Sequence, residues 1–206
     1  LGMESLLIPY RALSDVKLNR ILSSETGVIV ATSTDIRLQL LREISSYSSA
    51  LLIEKPLGFQ VEHLDEIYSL PCIDHDASMA GFMTRYHPTV QWLLKEDLTD
   101  VVHARFSIGH DVTKWRDDWR FANSYASKPN GGGVLLDLCH EIDLADVLFG
   151  PLHINSVQCM DCIKYPGIDL LSHISMSSPD TGALVSVTMD YLASHSHRSV
   201  EMYSNT

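Results

Sequence analysis

Apolar residues run along the chain in short blocks whose spacing changes near residue 90. A helical pattern over Ser14–Leu22 leads into Gly27–Ala31, GVIVA, an apolar run of the kind that forms strands covered on both faces. The polar cluster Thr32-Ser33-Thr34-Asp35 suits the cap of a following helix, Ile36–Tyr47. A second apolar run, Ala50–Ile53, stops at Glu54-Lys55-Pro56-Leu57-Gly58; a helical pattern over Val61–Leu70 and a third run, Ser78–Phe82, follow. Strand, helix, strand, helix, strand predicts a parallel α/β sheet.

After residue 100 the alternation gives way to strand patterns: Val101–Gly109, Ile154–Ile163, Ile168–Ser175, Ala183–Tyr191 and Ser199–Tyr203. His173-Ile174-Ser175-Met176-Ser177 and Val185-Ser186-Val187-Thr188-Met189 alternate polar with apolar, as an antiparallel sheet with one wet face does. Turn signals at Pro166-Gly167 and Pro179-Asp180-Thr181-Gly182 separate them. The second half therefore reads as an α+β domain built on an open sheet, and a broad sheet face of this sort predicts a homo-oligomer.

The stretch Asn130–Gly150, NGGGVLLDLCHEIDLADVLFG, stands apart. Gly131, Gly132 and Gly133 allow a close backbone approach, and the apolar run behind them predicts one mostly buried helix. Asp137 and His140, three apart, would project from neighbouring positions on its face. Asp137 would fall in the first turn, where free N–H groups favour a carboxylate. A carboxylate beside an imidazole can tune a general acid/base, or the two can simply satisfy each other in a core; the stretch alone leaves both open.

Composition narrows the class. The 206 residues are 45% hydrophobic and 20% charged, enough for one substantial core or two small ones, and the net charge of −11 lacks any basic run. Nucleic acid and anionic membranes are thereby disfavoured as partners. No apolar stretch of spanning length and no signal-like segment occurs, so a soluble cytoplasmic protein is expected. The four cysteines are scattered, and Cys159 and Cys162 form a lone CxxC in a strand-like stretch, Asn155–Tyr165, with no second ligand pair; no metal site is expected.

In parallel α/β sheets ligands bind beyond the carboxyl ends of the strands. Thr32 and Ser33, Glu54 to Pro56, and Thr84 to His87 occupy those ends, which places Lys55 at a ligand crevice where it can donate to a substrate oxygen or move a proton. The loop Trp115-Arg116-Asp117-Asp118-Trp119-Arg120 could present a cation and a flat ring to phosphate or sugar, or be a solvated loop with an internal ion pair; Tyr125 and Lys128 are further polar candidates.

A strand ending in ATS, a strand ending in EKPLG, then GFMTRYHP, a WR-containing loop and GGGVLLDLCHEID, in that order, resemble the Gfo/Idh/MocA family of nicotinamide-dependent sugar and polyol oxidoreductases. The resemblance covers about Val28 to Gly150, and the later strands fit the family's sheet domain. It implies α/β plus α+β architecture: a partial Rossmann-like dinucleotide-binding domain over residues 1–88 and an open, mainly antiparallel sheet domain over 89–206, incomplete at its C-terminal end.

The implied chemistry is hydride exchange between NAD or NADP and a carbinol carbon of a sugar, polyol or sugar nucleotide. By the family pattern Lys55 positions the reacting hydroxyl, His140 is the general acid/base, and Asp137 orients the substrate or the histidine. Thr32 with its neighbour Ser33, Glu54, Pro56 and Arg85 lie around the nicotinamide half of the cofactor, with Arg116 or Arg120 added from the loop. Relatives commonly set the aspartate and histidine further apart than Asp137 and His140 stand, and often carry an amide side chain where Met83 stands. The strand, G-x-G-x-x-G turn and helix of a dinucleotide site are missing from this sequence, so it reads as a portion of a longer enzyme. The residue that selects NAD or NADP is missing with them. The alternatives are a non-catalytic sugar-binding or regulatory relative, or an inactive remnant.

Overall fold

In a computed structural model, which describes residues 26–47, 50–115, 118 and 120–205, the chain forms two units. The first comprises the described residues up to Thr32 together with Ile36–Ala80; the second comprises Ser33–Asp35 and the described residues from Gly81 onward. The helical pattern over Ser14–Leu22 lies outside the described residues.

Three parallel strands make the first unit's sheet, in the order β1 (Gly27–Val30), β2 (Ala50–Ile53), β3 (Met79–Ala80). The crossovers carry α1 (Thr34–Ile44) and α2 (Val61–Ser69). Val30, Leu38, Leu41, Ile44, Leu51, Ile53, Ile67 and Cys72 form one apolar cluster, so β1, β2, α1 and α2 contribute to a single small core. Strand β3 is shorter than the apolar run Ser78–Phe82 because Ser78 meets β2 through its side chain: its hydroxyl accepts the Leu51 N–H at 3.3 Å.

The second unit is built on five strands in the order β5 (His153–Met160), β6 (Leu171–Ser177), β7 (Leu184–Asp190), β4 (Val101–Gly109), β8 (His197–Ser204). Only β4 and β7 run parallel, so the sheet is mainly antiparallel, as its alternating sequence predicts. Along β6 and β7 every second residue is buried. Ile174, Met176, Val185, Val187 and Met189 join Ala104 and Phe106 under a helical layer supplied by Val134, Leu138, Leu144, Ala145 and Phe149. An unanticipated helix, α2′s successor α3 (Pro88–Leu93), begins with Pro88 at its first turn, and the His87 side chain accepts the Thr89 N–H at 3.2 Å.

One expectation fails at the centre of the chain. The stretch Asn130–Gly150 is two helices, α4 (Val134–Asp137) and α5 (His140–Phe149), with the break at Leu138 and Cys139. A single turn is all that α4 completes because both of its ends are tied to distant segments. At its start Val134 N–H donates to the Asp169 carbonyl at 2.9 Å and Leu135 N–H to the Asp169 carboxylate at 2.7 Å. At its finish Asp137 is held by two tyrosines, described below. Asp137 and His140 are therefore not successive positions on one helical face. The strand expected over Asn155–Tyr165 also ends early, at Met160; Cys162 instead bridges to Tyr165, while Cys159 is exposed.

Candidate functional site

The expected site residues divide between the units: Thr32, Glu54, Lys55 and Pro56 stand in the first, and Ser33, Arg85, Arg120, Asp137 and His140 in the second. Arg116 lies outside the described residues.

In the first unit the carboxyl ends of β1 and β2 stay paired one step beyond the strands, where Glu54 N–H donates to the Val30 carbonyl at 2.9 Å. Glu54, Lys55 and Pro56 are half-buried, and the Lys55-Pro56 peptide is cis. A residue that the sequence did not single out, Arg37 on α1, is only 2% exposed and donates to the carbonyls of both Thr32 and Pro56. Burial lowers its pKa, with Glu54 pulling the other way. The Thr32 hydroxyl is buried with no hydrogen-bond partner among the described residues. A buried polar atom left over at a strand end is the kind of feature a bound polar group would satisfy.

In the second unit Asp137 accepts two phenols: Tyr125 at 2.8 Å on one carboxylate oxygen and Tyr191 at 2.6 Å on the other. Asp137 is buried, and burial followed by the Asp137 charge drives the Tyr191 pKa far up, so this phenol stays protonated and donates. The Tyr191 ring meets His110, centroids 5.6 Å apart, and His110 in turn meets Trp115 at 4.9 Å. Burial holds the His110 pKa below its ordinary value although Asp137, Asp111 and Asp190 oppose that shift. Its Nε2 atom is buried without a partner among the described residues. His110 lines an open cavity of about 500 Å³ with Asp111, Lys114, Trp115, His197 and Arg198. Of this set only Trp115 was marked by its sequence context.

His140 opens α5, with the Phe82 ring set edge-on to the imidazole at 5.8 Å. Arg85 faces the same ring, 5.6 Å from its centroid, and pairs with the buried Asp143 one turn along α5, with Nε at 2.8 and 3.0 Å from the two carboxylate oxygens. The hydrogen bond to Asp143 is the main reason the Arg85 pKa is raised. A second arginine, Arg198 of β8, donates to the Oε1 atom of Glu141, which is 1% exposed. The first turn of α5 thus carries two buried carboxylates, each met by an arginine from another element. Arg120 is exposed, and Ser33 donates to Asp35 at 2.5 Å.

Comparisons with known proteins bear on the fold and the family. No curated protein matched by sequence. Solved structures do match: the WlbA dehydrogenase from Bordetella pertussis, in complex with NADH and UDP-GlcNAcA, aligns at TM-score 0.77 and 17% identity over 96% of this chain and 57% of its own. Levoglucosan dehydrogenase, in complex with NADH and levoglucosan, gives 0.73 and 19% over 87% of this chain and 52% of its own. An inositol dehydrogenase homologue from Azotobacter vinelandii, complexed with NADH and myo-inositol, gives 0.71 and 15% over 87% and 48%. The chain thus spans about half the length of these proteins. The family model for the GFO/IDH/MocA C-terminal domain matches residues 89–205, more than half of the sequence, and the chain belongs to the Gfo/Idh/MocA family.

Proposed function

We propose that this chain serves an NAD- or NADP-dependent oxidoreductase that moves a hydride between the nicotinamide ring and a carbinol carbon of a sugar, polyol or sugar nucleotide. The observation that carries the reading is the family match over residues 89–205, which includes His140. Structurally similar proteins with NADH bound together with a sugar nucleotide, levoglucosan or myo-inositol support the same substrate class. When bound, the cofactor accepts or supplies the hydride; alignment and proton handling fall to the protein.

Thr32, Ser33, Glu54, Pro56 and Arg120 are assigned to the nicotinamide half of the cofactor, and the Thr32 hydroxyl, which has no hydrogen-bond partner among the described residues, fits that use. Arg85 is assigned to it through its position beside Phe82, while its guanidinium also secures Asp143. Lys55 positions the reacting hydroxyl, and His140 takes or returns its proton. Asp137, with a phenol on each carboxylate oxygen, acts by orientation: it fixes the α4–α5 break from which His140 starts.

Saturable quenching of NADH or NADPH fluorescence, followed by cofactor reduction in a screen of sugars, polyols and sugar nucleotides, tests the reading; a folded protein that binds neither cofactor defeats it. Lys55→Ala and His140→Ala should each cut turnover by about 10²–10⁴-fold while leaving cofactor affinity near wild type. Wild-type turnover in either variant removes that residue from the mechanism. The outward face of the second sheet, carrying His103, Arg105, Ser107, Ser175, Ser186 and Thr188, is assigned to self-association, which sedimentation analysis checks.

A further inference from the structure

We propose that Arg37 is the positioning residue for Lys55, holding the segment Glu54-Lys55-Pro56 in the geometry that proton transfer to and from substrate requires. The inference rests on the role assigned above to Lys55.

Arg37 stands in the first turns of α1, and its guanidinium reaches the carbonyl of Thr32, just past β1, and the carbonyl of Pro56, just past Lys55. One side chain therefore ties together the two segments that leave β1 and β2, beyond the last hydrogen bond between them. Lys55 is fixed on both sides: Glu54 is held by its N–H bond to Val30, and Pro56 by Arg37. A lysine ammonium on a flexible four-carbon stem is placed only as well as the backbone that carries it, and small displacements of a reacting group are costly.

Stability alone does not account for this arginine. Taking a guanidinium out of water costs several kcal/mol, and apolar side chains of similar volume commonly serve a core as well or better. At 2% exposure Arg37 bears that cost with two backbone carbonyls as acceptors, Glu54 as an electrostatic counterpart, and an Nε–H that has no partner among the described residues. What an apolar residue cannot do is donate to both carbonyls at once. The rigid planar fork of a guanidinium can, and it sets their separation.

Two variants test the assignment. Arg37→Lys keeps the charge but not the fork, and Arg37→Met keeps volume but neither. In the folded variants, amide exchange at Glu54, Lys55 and Leu57 should quicken at least about tenfold while Leu51–Ile53 keep their protection. In the isolated enzyme turnover should fall about 10–100-fold, with cofactor affinity within about twofold of wild type. Native exchange at residues 54–57 in folded Arg37→Lys overturns the proposal. So do losses confined to cofactor affinity or melting temperature, and so does the failure of both variants to fold, which would make Arg37 a core residue. If the wild-type protein oxidises no sugar, polyol or sugar nucleotide, the proposed function fails; exchange at 54–57 still decides whether Arg37 holds the segment.

Discussion

Asp137 illustrates how a single residue is assigned its work by groups far from it in sequence. Its two phenol donors, Tyr125 and Tyr191, come from segments on opposite sides of it in the chain. Tyr191→Phe should cost about 1–3 kcal/mol in urea denaturation, because a buried carboxylate loses a donor with nothing to replace it. The sign of the pH effect follows from the raised phenol pKa: the Tyr191 contribution is complete below about pH 10, the ordinary phenol value, and is lost as pH rises through the folded value. Tyr191→Phe should flatten that alkaline decline. His110 acts in the opposite sense. Its lowered pKa gives a contribution that is complete above about 6.5 and is lost as pH falls through the folded value, so a His110→Gln protein should melt with less acid sensitivity. Gly133 has φ +90°, and a Cβ there would lie 1.9 Å from the Asp169 carboxylate; Gly133→Ala should therefore destabilise by more than about 1–3 kcal/mol, the usual cost of such backbone strain alone. The glycine run was legible as a close approach, and the order of motifs singled out Lys55 and His140 as candidates. Arg37 and the tyrosines were not, because their roles depend on partners that only folding brings near.

At the level of elements, periodicity located almost every strand but not the ends of those whose termini are settled by side chains. Ser78 leaves β3 because its hydroxyl reaches Leu51, and the helix after the glycines breaks because Asp169 holds its start and two tyrosines its finish. The apolar run across Leu138 and Cys139 carries no sign of either tether. Helix α3 was legible in principle, since Pro88 after a capping His87 is a helix-start signal. The Arg85 pair with Asp143 anchors α5 to the turn at Met83–Tyr86. Arg85→Ala should cost about 1–2 kcal/mol, the lower part of the range for charged hydrogen bonds because Arg85 is nearly half exposed, and should raise amide exchange in the first turn of α5.

For the whole molecule, two separate apolar clusters replace a single core. Leu41 is fully buried in the first, so Leu41→Ala should cost about 2–5 kcal/mol there. Exchange protection should then fall at Val30, Leu51 and Ile53 before it falls in β4 or β7, and a simultaneous loss throughout would show that the clusters unfold as one. The sequence pattern changes near residue 90, whereas the first unit ends at Ala80; the strand order was not legible, since it pairs β4 with β7 and β8 across long sequence separations. That order has a consequence for synthesis. Both neighbours of β4 are made after it, and the nearer begins at Leu184, so at ~5–20 residues per second β4 waits several seconds on the ribosome with both of its edges open. It is the first strand of its sheet to be translated and among the last to be sealed, which makes Val101–Gly109 the strand of this sheet whose open edges wait longest during synthesis.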